Sequence, residues 1–324
     1  MILVTGATGF LGSAITKFLL DNGELVCALK RKNSVMPAIL LPYDRHRLIW
    51  REIDVTDYYE VEDVLEGITQ VYHCSALISF EPADRQRIMR VNVGGTRNVV
   101  NACLFHGIAK LVYVSSIATL GKTLNGDLIT ENTFWEYDGK QSDYAISKYE
   151  SEMEVWRGIA EGLHAVIINP AIILGNQQFV QKEQLNLIRF LSRNSKYYPQ
   201  GGTGFVEVTD VANCAIGLMN SNILGERFIV CAENFTFKDF LTVFTNLQRK
   251  PPPAVLLKKW QLTCCWYFNK FLNRLFGVPI QLNRTFVRSI SETHFYANEK
   301  MRNALNYQFK SITDSLKSMV VNNG

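Results

Sequence analysis

The first twelve residues, MILVTGATGFLG, restrict the fold more than any other stretch of the chain. Residues 1–5 are a short apolar run that breaks at once into Gly6, Gly9 and Gly12, and 13–20 then reads as a helix. Strand, glycine turn and helix in that order open a βαβ nucleotide-binding unit. One glycine permits the tight turn, another leaves room for a pyrophosphate beside the main chain, and the third lets helix pack on strand. The anion then rests at the helix N-terminus, where free N–H groups and the helix dipole favour negative charge. Three glycines alone would also suit an ordinary turn. The flanking strand and helix favour a dinucleotide site.

Composition narrows the class. A chain of 324 residues, 47% hydrophobic and 20% charged, is an ordinary globular protein of one large or two intertwined domains. A net charge of +4 without a lysine/arginine block gives no reason to expect nucleic acid as a partner. The first strand begins at Met1, so no secretory signal is expected, no apolar run reaches spanning length, and the expected location is the cytoplasm. The seven cysteines are odd in number and show no metal-ligand spacing with the histidines, so reduced thiols and no metal are expected.

Gly23 stops the first helix, and 24–29 reads as a second strand ending in Lys30, Arg31 and Lys32. An acid at that strand end would hydrogen-bond the adenosine ribose 2′-hydroxyl and mark NAD. The cations here suit a 2′-phosphate, Arg31 above all, because a guanidinium takes phosphate bidentately. NADP(H) is therefore expected over NAD(H), the alternative being a solvated basic loop. Residues 47–53 read as a third strand ending at Asp54 and Val55, where the Asp54 carboxylate could meet the adenine amino group, and a helix follows over 57–66. A fourth strand over 71–76 empties into Cys74, Ser75 and Ala76, small residues that leave backbone close to a ligand. His73, at a buried strand end, is expected to be structural. A long helix over 82–106 carries Asn92.

The fifth strand, 109–115, reaches Ser115 and Ser116, and a later helix runs from 144 to about 162. Tyr144 and Lys148 are four apart and share one helical face. A nearby ammonium favours the phenolate and is expected to draw the tyrosine's pKa toward working pH. A hydroxyl from Ser116 can steady a carbonyl or alkoxide oxygen. The spacing also suits a solvated helix face. Its weight comes from following a nucleotide fingerprint and a Ser-Ser strand end in that order.

With these pieces the chain resembles the extended short-chain dehydrogenase/reductase family of the NAD-dependent epimerase/dehydratase type. The matching segments are TGATGFLG at 5–12, YHCSA at 72–76, NVGGT at 92–96, VSS at 114–116, YAISK at 144–148, NPAIILG at 169–175, FVEVTDVA at 205–212 and GERFIV at 225–230. The dihydroflavonol reductase-like and 3β-hydroxysteroid dehydrogenase-like branches are the most similar. The resemblance implies a Rossmann-type doubly wound parallel sheet with a smaller, mostly helical C-terminal substrate domain. The dinucleotide domain would cover 1–170, with 205–232 returning to it, and the substrate domain 171–204 and 233–324. It implies a catalytic group of Ser116, Tyr144 and Lys148, with Lys148 also binding the nicotinamide ribose. The cofactor would lie along Gly6, Thr8, Gly9, Phe10, Leu11 and Gly12, then beside Cys74, Ser75 and Ala76, with Pro170 and Ile173 lining the nicotinamide pocket. Asn92 would support the site from its helix. A homodimer through helices of the nucleotide domain is the family's habit.

Two departures from relatives matter. Sugar-nucleotide dehydratases carry an Asp-Glu pair after the catalytic Ser/Thr, where Ile117 and Ala118 stand here, which argues against elimination chemistry. Epimerases usually add basic residues that clamp the substrate diphosphate, and 176–179 offers none. A helix is expected over 181–195, Asp210 is expected to cap the helix that follows it, and helices are expected over 236–248 and in the tail from 281. The stretch 254–278 sets Trp260, Trp266, Tyr267, Phe268, Phe271 and Phe276 among lysines and arginines. It reads as core of the substrate domain, with a greasy lid or a membrane-surface helix as the alternative. The expected function is NADP(H)-dependent reduction of a carbonyl on a small, rather apolar molecule. A sugar-nucleotide epimerase that keeps its cofactor and a non-catalytic nucleotide sensor are the alternatives.

Overall fold

The computed structural model of the chain describes residues 1–123, 126–175, 196–276 and 284–321, with 268–276 and 321 described by backbone alone. Strand β1 (Ile2–Thr5) has every side chain buried and turns at Gly6 into helix α1 (Phe10–Asp21). Strands β2 (Val26–Lys30) and β3 (Leu48–Glu52), helix α2 (Tyr58–Val64) and strand β4 (Gln70–His73) follow. Helix α2 begins where the Asp57 carboxylate accepts from the amides of Tyr59 and Glu60, an N-cap that satisfies two otherwise orphaned donors. The helix expected over 82–106 is built in pieces. A 3-10 turn at Pro82–Asp84 leads to α3 (Arg85–Met89), a wide π turn at Arg90–Gly94 and α4 (Gly95–Phe105). Next come β5 (Lys110–Val114), α5 (Asp143–Ala160) and β6 (Ala165–Pro170).

In the second half β7 (Ile172–Leu174), β8 (Tyr197–Pro199), β9 (Gly202–Glu207), α6 (Val208–Asn220), β10 (Glu226–Val230) and β11 (Glu233–Thr236) come first. They lead to α7 (Phe237–Leu247), β12 (Val255–Leu257), α8 (Lys259–Phe276), α9 (Arg284–Ser291), α10 (Glu299–Leu305) and α11 (Ile312–Val321). The helix expected over 181–195 lies outside the described residues.

Seven parallel strands form one sheet in the order β10-β6-β5-β4-β1-β2-β3. Side chains along β1 alternate between its faces, as strand geometry requires. Ile2 and Val4 join a core with α1 and α6, while Leu3 joins one with Val99 and Val155 of α4 and α5. Burial on both faces explains why these strands read as unbroken apolar runs. The winding reverses between β1 and β4, which opens a crevice at the strands' carboxyl ends, where such sheets bind ligands. A Rossmann-type α/β fold is thus the architecture of the chain.

Beyond this sheet, β7, β9 and β11 make a three-stranded sheet and β8 pairs with β12. They share a core of Phe205, Phe240, Leu262, Val287, Ile312 and Leu316. Asp210 is not the cap expected of it. Helix α6 starts after Glu207, and Asp210 sits in its first turn, accepting from the Tyr307 hydroxyl at 2.8 Å and the Lys310 amide at 3.0 Å. The returning tail claims that carboxylate. In α8, Leu262 faces the core, while Trp260, Tyr267, Cys264 and Cys265 are exposed, so the aromatic stretch divides between packing and solvent. The side chains of Phe268, Phe271 and Phe276 lie outside the described residues. Among the described residues no helix is long and apolar enough to cross a membrane.

Candidate active site

The crevice floor is the β1–α1 turn. Gly6 has a φ of +65°, and a Cβ there would stand 2.8 Å from the amide nitrogen of Ser75. A Cβ at Gly12 would stand 2.2 Å from the Gly6 carbonyl oxygen, so helix, turn and the segment after β4 meet only because both lack side chains. Thr5 ties the same three pieces together: its hydroxyl accepts from the amides of Cys74 and Ser75, each at 3.1 Å. It lies 2.7 Å from His73 Nδ1, and His73 Nε2 lies 3.1 Å from the Thr96 hydroxyl. Burial holds His73 down at about 3, so this ring is neutral and structural. Gly9 caps α1 without a side-chain bond and no acid stands in the first turn, which leaves that helix end suited to a pyrophosphate. Phe10 and Leu11 bury their side chains in the core and leave only main chain for a ligand, while Thr8 is half-buried.

Along the crevice, Cys74 and Ser75 are half-buried and Ala76 is exposed. Burial pushes the Cys74 thiol up to about 12, so it is unreactive at neutral pH. Arg31 stands exposed just past β2, while neighbouring Lys30 is spent on Glu52 at 2.6 Å. Asp54 is exposed with its carboxylate on the Thr56 amide at 3.0 Å, and Val55 packs beneath Gly95. Asn92 is buried in the π turn. Its amide oxygen accepts from the Leu77 amide at 2.7 Å, and its nitrogen donates to the Leu77 carbonyl at 3.0 Å and the Ser147 hydroxyl at 2.9 Å. It therefore clamps the segment after β4 onto α5. Pro170 ends β6, buried, and Ile173 is half-buried in β7.

Ser116, Tyr144 and Lys148 converge at the carboxyl end of β5. The Ser116 hydroxyl caps a short 3-10 turn through the Ala118 amide at 3.2 Å and stands near enough to Tyr144 to pull its pKa down. Burial nonetheless holds Tyr144 up at about 12, with Ser116 pulling the other way. Phe80 meets the Tyr144 ring edge-on at 5.9 Å. The expectation that Lys148 draws Tyr144 down is not met in this structure. The Lys148 ammonium is buried and donates to the Tyr113 hydroxyl at 2.7 Å and the Val114 carbonyl at 2.6 Å, and burial lowers it to about 7. Its hydrogen bonds run to Tyr113 and Val114 of β5.

Behind these three lies a polar cluster that sequence reasoning missed. Glu152 has no exposed surface. Its Oε2 accepts from Ser115 at 2.6 Å, Thr119 at 2.9 Å and Asn169 at 2.9 Å, and its Oε1 from Arg227 at 3.1 Å. The phase of Tyr144, Lys148 and Glu152, each four residues on, was the available signal. Among the described residues, Asn169 Oδ1 is the buried side-chain polar atom left without a partner, an acceptor held at the end of β6.

A cleft of about 650 Å³ opens where Lys140 and Gln141 face Lys259, Trp266 and Tyr267 of α8 and Arg284 and Arg288 of α9. Gln141 stands three residues before Tyr144, so at most about 11 Å of backbone separates them. The segment between β5 and α5 is tied to the C-terminal part by Lys122–Glu292 at 2.7 Å, Arg288–Asp138 at 3.3 Å and the Ile129 amide on the Phe295 carbonyl at 2.8 Å.

The family model for NAD dependent epimerase/dehydratase proteins matches residues 2–231. The chain belongs to that family. Sterol demethylase protein B of Methylococcus capsulatus is 31% identical over 260 residues, covering 79% of this chain and 76% of the relative. A putative dihydroflavonol 4-reductase of Synechocystis sp. is 28% identical over 324 residues, 98% of this chain and 92% of the relative. Among solved structures, gox2253 superposes with a TM-score of 0.83 at 28% identity, covering 99% of this chain and 97% of its own. The family and its reductase-named members make the chain an NAD(P)-dependent oxidoreductase of the extended short-chain type.

Proposed function

We propose that the chain reduces a carbonyl on a small, rather apolar molecule, or oxidises the corresponding alcohol, with NADP(H). The observation that carries this reading is the convergence of Ser116, Tyr144 and Lys148 beside the glycine turn. The dinucleotide, when bound, supplies the hydride. Gly6, Thr8, Gly9 and Gly12, with the main chain of Phe10 and Leu11, would hold its phosphates. Arg31 would take the 2′-phosphate, Asp54 and Val55 would face the adenine, and Cys74, Ser75 and Ala76 would run beside the ribose and phosphates. Pro170 and Ile173 would line the nicotinamide pocket, and Asn92 would hold the Leu77 segment in place behind it. Lys148 would donate to the nicotinamide ribose. Tyr144, kept as the phenol at neutral pH by burial, gives its proton to the substrate oxygen, and the Ser116 hydroxyl steadies that oxygen. In this reading 1–170 with 205–232 handles the dinucleotide, and 171–204 with 233–324 receives the substrate.

A second reading, an epimerase that retains its cofactor, draws on the cleft's Lys140, Lys259, Arg284 and Arg288 as partners for a substrate diphosphate, although Glu292 and Asp138 already pair with Arg288, Lys259 and Lys140. Fluorescence titration with NADPH and NADH, followed by a panel of carbonyl substrates, separates the two. Tighter NADPH binding with multiple turnovers of added NADPH is expected. Nicotinamide that co-purifies and never exchanges would favour the epimerase, and cofactor binding without turnover on any substrate would favour the sensor.

A further inference from the structure

We propose that Glu152 is a positioning residue for the reaction: its buried carboxylate fixes the Ser115–Ser116 strand end and stands one helical turn from Lys148 as its counter-charge. The inference rests on the reductase reading for its meaning, but the charge on Lys148 can be measured without turnover.

The geometry gives Glu152 donors from three strand ends. Ser115 follows β5, Asn169 belongs to β6 and Arg227 to β10, and Thr119 closes the 3-10 turn that Ser116 caps. Asn169 also donates to the Ser116 carbonyl at 3.2 Å, so the carboxylate fixes the hydroxyl-bearing residue through one intermediary. A glutamine cannot replace it. Asn169 Nδ2 and Arg227 Nη1 can only donate, and they sit on opposite oxygens, so either orientation of an amide would turn its NH₂ toward one of them. Burying a carboxylate this deeply is costly unless it is paired and hydrogen-bonded, and every donor here serves that end.

The electrostatics point the same way. His73 and Cys74 face Lys148 from the end of β4, Tyr113 from β5, and Tyr144 and Glu152 from its own helix. His73, Cys74, Tyr113 and Tyr144 are all neutral at pH 7, for burial lowers the first and raises the other three. That leaves Glu152, one helical turn on, as the anion among them. It raises Lys148 against the burial that lowers it. Arg227 partly neutralises Glu152 from the far side, held there by its bonds to the Glu131 carbonyl.

The test is a pH titration of the Lys148 side-chain resonance in protein carrying ¹³C-labelled lysine, assigned by loss of the signal in K148R. In E152Q the midpoint should fall by about one pH unit, which leaves up to about tenfold less ammonium at the same pH. E152D, which keeps the charge, should return it most of the way. R227M, which leaves the carboxylate less neutralised, should move it upward. In the active protein the alkaline limb of kcat should follow these shifts, while KM for NADPH changes less than about twofold. If E152Q does not fold, R227M decides by its opposite sign. Midpoints unchanged in E152Q, or in R227M where E152Q does not fold, overturn the proposal. So does a uniform loss of kcat with an unmoved limb. Absence of turnover in the wild type would instead overturn the reductase reading and leave the titration standing.

Discussion

Tyr144 is the general acid of the proposed reduction, and with burial holding it up at about 12 it carries its proton at any physiological pH. Tyr144→Phe should therefore lower kcat by about 10²–10⁴-fold, the usual contribution of a general acid. NADPH affinity, read by fluorescence, should stay within about twofold because the hydroxyl is absent from the phosphate seat. Arg31 stands exposed at the end of β2. Arg31→Ser should weaken NADPH by about 10–100-fold, as loss of a charge-assisted hydrogen bond of about 1.5–3 kcal/mol implies, and leave NADH binding unchanged. His73 supplies a pH prediction of definite sign. Its folded pKa, about 3, lies below the ordinary imidazole value of 6.5, so the unfolded chain binds a proton that the folded one refuses. Its stabilising contribution is complete above pH 6.5 and is lost as pH falls toward 3. Unfolding free energies from urea titrations should decline over that window with a slope approaching about 1.4 kcal/mol per pH unit, and His73→Gln should flatten it.

Elements carry the next level of constraint. The β1–α1 turn was legible from Gly6, Gly9 and Gly12, because glycine spacing reports close backbone approach directly. Gly12→Ala would drive a Cβ to 2.2 Å from the Gly6 carbonyl oxygen. It should cost about 1–3 kcal/mol of stability by overpacking, seen in denaturant unfolding, and weaken cofactor binding at least tenfold. Helix α5 was legible as the bearer of Tyr144 and Lys148, but not Glu152, whose donors Ser115, Asn169 and Arg227 come from other strands. A glutamate on a helix reads as a solvated face until the tertiary partners are known. Asp210 failed as a cap for the same reason, since Tyr307 and Lys310 arrive from the tail. The break of the 82–106 helix at Asn92 had no periodic signature, because a π turn adds a residue without changing composition.

At the scale of the whole molecule, alternating strands and helices announced the parallel sheet. The smaller core was harder to read, because Phe205, Phe240 and Leu316 come from segments with no shared motif. Leu316 is fully buried there, so Leu316→Ala should cost about 2–5 kcal/mol, measured by denaturant unfolding. The loop from β5 to α5 is pinned to this distal part by Lys122–Glu292, Arg288–Asp138 and the Ile129–Phe295 bond. Since that loop leads into Tyr144, residues 288–295 would, in the proposed reaction, form one jamb of the doorway through which a reactant comes. Descendants of this gene could thus exchange one clientele for another by editing their last fifty or so residues, leaving the proton donor and its neighbours as inherited.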